Sequence, residues 1–556
     1  MEGWCGQVKR VKSSKWKFLS SHPKDVAGEI LKLRQIKDKT SFLNPDYKDL
    51  SSPYDIPGLK KACELITKVL KEGEPIGIFA DYDADGICGG AILYRALKEL
   101  GAKVYYYVPT REEGYGLNKT AVESFKKSAV KLFICVDCGI RDVEEIKYAK
   151  KLGLKAIVAD HHLKADVLPP AEAIIYPKSA KEDASFYNLS GGGIAYMLAK
   201  ALLGKSQKEK WLIDLAAVAT IADIVPLLGD NRIISKFGLV VLNKTKNLGL
   251  KFLIKEAQLE SRELGTYEIG FMIAPRINAA GRISEPIKGF NLLVEGDSEE
   301  AKLVAKELDI LNTQRQEILG QTTEEAFEQV EKKKLYQNKA IVVVKKGWND
   351  GVVGLVAGKI VDKYWRPAIV LSQTDSLLRG SARSIPGVNI SELIGSCAKH
   401  VLSFGGHTQA AGLSLEAKKY DAFERGILEN ASKLDDKLYE RELIVDVLLD
   451  ISQVNLSLAE ELEKFEPFGQ DNPRPTFALK NVEIVGLRNV GKELAHVKAE
   501  ICKDNHKCSI IGFNFERNGW DLKQGKKYDV AFSIKVDRWE GKKKVDLVLV
   551  DARAAV

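Results

Sequence analysis

Three short apolar runs, Ile76 to Ala80, Leu132 to Val136 and Ala156 to Ala159, each end directly on an aspartate: Asp81, Asp137 and Asp160. A continuous apolar run of this length, bounded by polar residues, reads as a strand buried on both faces. Between the runs lie helix-prone stretches, Ile87 to Leu100 and Arg141 to Leu152, closed by Gly101 and Gly153. Strands alternating with helices predict a doubly wound parallel sheet, whose ligands gather outside the carboxyl ends of the strands. The three acids are therefore expected on one edge. The first heads the segment Asp81-Tyr82-Asp83-Ala84-Asp85-Gly86, with three carboxylates on alternate positions. So much like charge beside a core is costly unless a cation sits among it. The third run continues into Asp160-His161-His162, and Asp223 interrupts the apolar helix candidate Leu212 to Ile224. Carboxylates joined by imidazole favour Mn²⁺ or Mg²⁺.

A chain of 556 residues is too long for one core. Residues 1–75 read as a helical lead-in and 76–300 as the acid-edged sheet domain, in which Ser190 to Gly193 is a turn. Residues 301–335 are charged, proline-free and helix-prone, which predicts a linker helix. A smaller α/β domain follows over 336–443, with strands at Ala340 to Val344 and Ala368 to Leu371 around a helix from Gly351 to Tyr364. It carries Arg379 to Ser384 and a Gly405-Gly406-His407 stretch, whose small residues with Arg383 and His407 suit a phosphate. Over 444–556, five short β-runs separated by Gly and Lys turns predict an OB-like β-barrel. From Asp471 to Val556 there are 17 Lys and Arg against 12 Asp and Glu, so this part carries most of the net charge of +8. Phe513, Trp520 and Trp539 could stack bases there or pack in its core.

No apolar stretch reaches the length of a membrane span, and the Lys-rich N-terminus lacks the apolar centre of a signal peptide, so a cytoplasmic protein without membrane attachment is expected. The eight cysteines are scattered and fit a reducing compartment. Cys135-x-x-Cys138 has no second pair to complete a zinc site and reads as packing.

Taken in order, Asp81 to Gly86, Val136-Asp137-Cys138-Gly139, Asp160-His161-His162 and Ala222-Asp223 resemble the DHH phosphoesterase superfamily. Gly351 to Gly354 and the Gly-Gly-His stretch resemble its DHH-associated domain. Arg111 to Leu117, Pro275 to Arg282 and Glu466 to Gln470 are similar to segments of the RecJ exonuclease family within it. The resemblance implies a metal-dependent 5′-to-3′ exonuclease hydrolysing single-stranded DNA in repair and recombination. It implies two Mn²⁺ or Mg²⁺ ions, with Asp83 and Asp85 split between them, Asp137 bridging, and His161 and Asp223 completing one shell; Asp81 joins the metal set. Asp137, His161, His162 and Asp160 are the implied catalytic residues. Arg111, Arg276, Asn278, Arg282, Ser381, Arg383 and His407 are the implied substrate contacts. Asn349 and Ala382 depart from the pattern, standing where histidine and glycine are usual. A monomer acting with single-strand-binding protein and a helicase is the implied assembly. Two rival readings are a phosphodiesterase for cyclic dinucleotides or short oligonucleotides, and a non-catalytic replication scaffold.

Overall fold

The computed structural model describes residues 15–491, 494–515, 520–539 and 542–555, apart from the side chains of Lys205, Trp539 and Lys542. The chain forms two compact units. One comprises Asp38–Gln314 with Phe465–Pro473; the other comprises the residues up to Lys37, Arg315–Lys464 and Arg474–Val556. Strand β1 (Lys15–Ser21) opens the described chain in the second of these.

The first unit is built on a parallel sheet of β2 (Ile76–Ala80), β3 (Val104–Tyr107), β4 (Leu132–Val136), β5 (Lys155–Ala159) and β6 (Ala173–Ile175), in the order β3-β2-β4-β5-β6. The expected apolar runs are its central strands. Alternate residues feed two cores: Ile76, Ile78, Ile134 and Ile157 pack with the helices Leu59–Lys71, Ala84–Glu99 and Gly191–Leu203, whereas Phe79, Phe133, Cys135 and Val158 pack with Lys119–Lys127 and Val143–Lys151. Cys135 and Cys138 are buried in the second core, in keeping with a packing role. The half-exposed edge strand β3, with its three tyrosines, escaped the apolar-run criterion. Ala80, Val136 and Ala159 pair in register, so Asp81, Asp137 and Asp160 leave the sheet at one level.

A single helix, Ser298–Lys332, takes the place of the expected linker. Its first half buries Ala301, Ala305 and Leu308 in the first unit's core, and its second half buries Ala326 and Val330 in the other's. The second unit holds a mixed sheet of β7 (Ile341–Lys346), β8 (Ala368–Thr374), β9 (Leu377–Arg383), β10 (Ser403–Gly406) and β11 (Ala410–Glu416), in the order β10-β11-β9-β8-β7. The helix Val353–Tyr364 makes the crossover between the parallel strands β7 and β8.

The remaining strands are β12 (Glu442–Leu448), β13 (Phe477–Val490), β14 (His496–Lys503), β15 (His506–Gly512), β16 (Lys527–Trp539) and β17 (Lys542–Ala554). They run β12-β13-β14-β15-β17-β16, and β16 pairs back onto β13, closing a five-stranded barrel. At the other end of the chain the expected lead-in is helical over Val26–Leu33, Lys39–Leu43 and Leu59–Lys71 and is corrected at its start. Lys15–Ser21 is not helical but pairs in parallel with β12, and Trp16 Nε1 donates to Asp551 Oδ2 at 2.9 Å. Residues 1–14 of the expected lead-in lie outside the described residues. Trp520 is buried with its Nε1 near Asp551, so it is a core residue rather than a stacking surface. Phe513 is 44% exposed, and the side chain of Trp539 lies outside the described residues. Among the described residues, no helix is long and apolar enough to cross a membrane.

Candidate active site

The loop after β2 turns at once into the helix Ala84–Glu99, and Asp83 makes that turn by accepting the amides of Asp85 and Gly86 at 2.9 and 3.1 Å. Asp85 is fully buried and points across to the start of Gly191–Leu203, where its two oxygens accept the amides of Gly191 and Gly192, both at 2.7 Å. A helix N-terminus offers unsatisfied N–H groups and a positive potential, which is why a buried carboxylate is tolerated there. The approach demands glycine: a Cβ at Gly191 would come within 2.5 Å of the Asp137 Cβ, and one at Gly192 within 2.3 Å of the Ala219 Cβ and 3.1 Å of Asp85 Oδ1. Ser190 to Gly193 is therefore a helix start, capped by Ser190 Oγ, rather than the expected turn. Serine followed by three small residues before an apolar run carried that signal.

Asp137 follows β4 at φ +64°, a conformation that carries its carboxylate into the centre of the cluster. His161 Nε2 lies 3.1 Å from Asp137 Oδ1, 3.5 Å from Asp223 Oδ2 and 3.8 Å from Asp85 Oδ2. Three sets of ligand atoms converge: Asp81 with Asp83 and Asp137; Asp85 with His161 and Asp223; and Asp137 with His161 and His162. Asp81 Oδ1, Asp137 Oδ1 and Asp223 Oδ2 are buried acceptors with no hydrogen-bond donor. Burial and the neighbouring carboxylates raise the pKa of Asp81, Asp137 and Asp223 well above the usual range. Asp85 is pushed up to about 6 by burial and by Asp83, despite the two glycine amides. Hard oxygens left without donors, beside imidazole, fit a divalent cation such as Mn²⁺ or Mg²⁺.

Asp160, named by the resemblance in the catalytic set as a support to the metal ligands and not as one of them, makes contacts that orient its neighbours. It accepts the amides of Ile140, His161 and His162 at 3.0, 2.7 and 3.0 Å and contacts His162 Nδ1 at 2.8 Å. Burial would raise its pKa, but the hydrogen bond from His162 and the two imidazoles outweigh burial and lower it. Burial likewise opposes a proton on His162, yet the bond to Asp160 wins and its pKa is raised. Two neighbours were not foreseen from sequence. Tyr115 OH lies 2.9 Å from His162 Nδ1 and donates to the Asp137 carbonyl at 3.2 Å, and Lys178 Nζ donates to the His161 carbonyl at 2.5 Å. Tyr115 lies inside the Arg111 to Leu117 segment; Lys178 carried no signal.

The expected substrate contacts divide. Arg111 is exposed, donates to the Gly281 carbonyl at 3.2 Å and lies over the Tyr82 ring, and its charge reaches Asp81. Arg282 is partly exposed and its charge also reaches Tyr82. Asn278 Oδ1 accepts the Ala84 amide at 2.8 Å, so it braces the metal loop. Arg276 is a correction: it is 2% exposed, paired with Asp309 at 2.8 Å and bonded to the Met272 carbonyl, so its guanidinium is held in the interior rather than offered to a phosphate. In the second unit, Ser381 and Arg383 meet the start of the helix Val353–Tyr364, where a Cβ at Gly354 would lie 3.2 Å from Ser381 Oγ and 3.5 Å from Arg383 Nη2. Ala410 pairs with Arg383 and accepts the amide of the exposed His407 at 2.8 Å, so the three residues share one sheet end. Asn349 holds the turn into this helix through the Gly351 amide at 2.7 Å, and Ala382 is buried in the core. On the barrel, Arg488, Lys498 and Lys507 line a shallow pocket over β13, β14 and β15.

Residues 75–222 match the N-terminal domain of the DHH family, 337–433 the DHHA1 domain and 445–551 the RecJ OB domain. The single-stranded-DNA-specific exonuclease RecJ of Escherichia coli is 31% identical over 519 residues, covering 89% of this chain and 90% of that protein. The chain belongs to the RecJ family. The RecJ of Bacillus subtilis, with the same full name, is 39% identical over 518 residues, which cover 92% of this chain and 65% of that longer protein. The crystal structure of RecJ from Thermus thermophilus in complex with Mn²⁺ superposes with a TM-score of 0.84 at 29% identity, covering 98% of this chain and 80% of that one. A second RecJ structure from that organism, in complex with Mg²⁺, gives a TM-score of 0.76 at 28% identity.

Proposed function

We propose that this RecJ-family chain is a 5′-to-3′ exonuclease that hydrolyses the phosphodiester bonds of single-stranded DNA with two Mn²⁺ or Mg²⁺ ions. The observation that carries the reading is the pair of ligand sets, Asp81 with Asp83 and Asp137, and Asp85 with His161 and Asp223, with Asp137 3.1 Å from His161 between them. Bound there, divalent ions supply Lewis acidity, lowering the pKa of water and neutralising charge on the phosphate. The chain's own groups do the rest. The Gly191 and Gly192 amides hold Asp85, Asp160 orients both histidines, and Asn278 fixes the loop that carries Asp83. A carboxylate only accepts, so His162 carries its Nδ1 proton toward Asp160, and the raised pKa of this partly exposed imidazole makes it the proton donor to a phosphate or leaving oxygen. Arg111 and Arg282 supply cations beside the metal loop, and Ser381, Arg383 and His407 form a further anion seat. A helicase that opens duplex ends and a protein that coats single strands are the partners such a substrate implies.

The test is a timed digestion of end-labelled single strands with Mn²⁺. A 5′ label should appear at once as mononucleotide, while a 3′ label persists in a shortening ladder. Release of the 3′ label first would overturn the polarity, and turnover confined to cyclic dinucleotides or two- to four-nucleotide substrates would overturn the substrate.

A further inference from the structure

The helical run from Thr266 to Ile283 carries more than the brace at Asn278. It starts as Thr266–Glu268, is wound as a π-helix over Ile269–Ile273 and continues as Ala274–Ile283. Its buried face is Ile269, Ile273, Ala274, Arg276, Ile277 and Ala280. Among its unburied positions, Tyr267, Phe271, Pro275, Asn278 and Arg282 recur at steps of three and four residues and so follow one another as a stripe. At one end of the stripe Asn278 holds the metal loop through Ala84, and Gly281 sits so close that a Cβ there would lie 3.0 Å from the Tyr82 carbonyl. At the other end Tyr267 and Phe271 are 63% and 69% exposed and stack on each other with ring centroids 4.9 Å apart at 28°. Two large rings held together in water forgo the burial that normally fixes aromatic side chains. A π-turn is rare and is frequently found at functional sites.

We infer that Tyr267 and Phe271 form a stacking platform for the bases of the single strand running out of the active site. This rests on the exonuclease reading above and adds a base-contacting site to it. The occupant follows from the continuity of the stripe: Arg111 and Arg282 flank its catalytic end as phosphate-binding cations, and Phe271 lies about 10 Å along the axis from Asn278, within reach of the nucleotides next to the scissile one. An aromatic face takes any base, which suits an enzyme that must digest every sequence.

The experiment uses the full chain with Mn²⁺ and a set of 20-nucleotide strands, each with one abasic position among the first six nucleotides. In the unaltered chain an abasic position on the platform should raise KM about 5- to 160-fold, the range expected when one stacked base is removed. The Tyr267→Ala/Phe271→Ala variant should show the raised KM on intact strands and no further rise on the abasic ones, and Phe271→Trp should keep the response to the missing base. Digestion of intact and abasic strands with equal KM by the unaltered chain would overturn the platform while leaving the exonuclease reading standing, and it needs no variant to fold. A double variant that keeps the full abasic response would also overturn it. Failure of the unaltered chain to bind or digest any single strand would remove the exonuclease reading and the platform together.

Discussion

Asp137→Asn should change stability in opposite directions depending on whether metal is present. Asparagine is nearly isosteric and tolerates the φ of +64° at this position, which alanine would not, so the change removes charge with little strain. In the metal-free protein Asp137 is buried among Asp85, Asp83, Asp223 and Asp81, all of which oppose its ionisation. The scale of that opposition is visible at Asp85, held at about 6 against an ordinary value of 3.8, which corresponds to roughly 3 kcal/mol for keeping it ionised. Relieving the central member should therefore stabilise the metal-free first unit by about 1 to 3 kcal/mol. With Mn²⁺ at a hundredfold its dissociation constant, binding to the native form contributes about 2.7 kcal/mol per site, and this is what the variant should lose. Thermal melts with and without Mn²⁺, paired with calorimetric Mn²⁺ titration, read both signs. A variant that melts lower than the parent without metal, yet binds Mn²⁺ and turns over DNA normally, would refute both the repulsion argument and the placing of Asp137 between the ions.

Arg276→Leu should act on stability: breaking its buried pair with Asp309 costs about 3 to 5 kcal/mol, lowering the melting temperature, whereas the KM of whatever folds should stay near the parent value. Asp214 is held up to about 6 by burial, so the folded chain binds its proton more tightly than the unfolded chain does. Stability is therefore lost as pH rises from about 4 to 6, by roughly 2 to 3 kcal/mol, and Asp214→Asn should abolish this contribution in metal-free melts compared with the parent across that range. Changing Arg488, Lys498 and Lys507 of the barrel to glutamine should flatten the log–log dependence of single-strand affinity on salt by about 0.7 for each phosphate these cations neutralise, and an unchanged slope would take this face out of DNA binding.

The acid-edged sheet was legible because its signals are local and reinforce one another. An apolar run gives a buried strand, the aspartate after it marks the carboxyl end, and parallel register brings Asp81, Asp137 and Asp160 together. What stayed hidden depends on contacts far apart in sequence. Nothing in the order of residues assigns Asp85 to the amides of Gly191 and Gly192, more than a hundred residues away. Arg276 and Asn278 sit in one motif and look equally suited to phosphate, but a helix turns nearby positions to different sides: position 276 meets Asp309 in the interior and position 278 meets the metal loop. Asp160 shows the same limit, since its place in the Asp-His-His triplet does not reveal the three amides it accepts. Strand β1 was missed because its partner β12 lies some 430 residues downstream, beyond any periodicity.

The same long-range contacts decide how the C-terminal part can be studied. Read from the sequence, 444–556 is a module that could be cut away. In the fold, Phe465–Pro473 belongs to the first unit, where buried Arg232 donates to the carbonyls of Phe465 and Glu466 at 2.9 and 3.0 Å and the Leu227 amide reaches Gln470 at 2.9 Å. Leu227 lies four residues after the metal-cluster member Asp223, and Asn231 Nδ2 holds the intervening Pro226 carbonyl at 3.1 Å. Removing the whole C-terminal part would leave a buried guanidinium without these acceptors, at a cost of several kcal/mol, and would loosen the turn that sets Asp223. A fall in turnover after such a deletion would then report on the metal cluster rather than on the barrel, so only substitutions on the barrel's own surface can separate gripping DNA from cutting it.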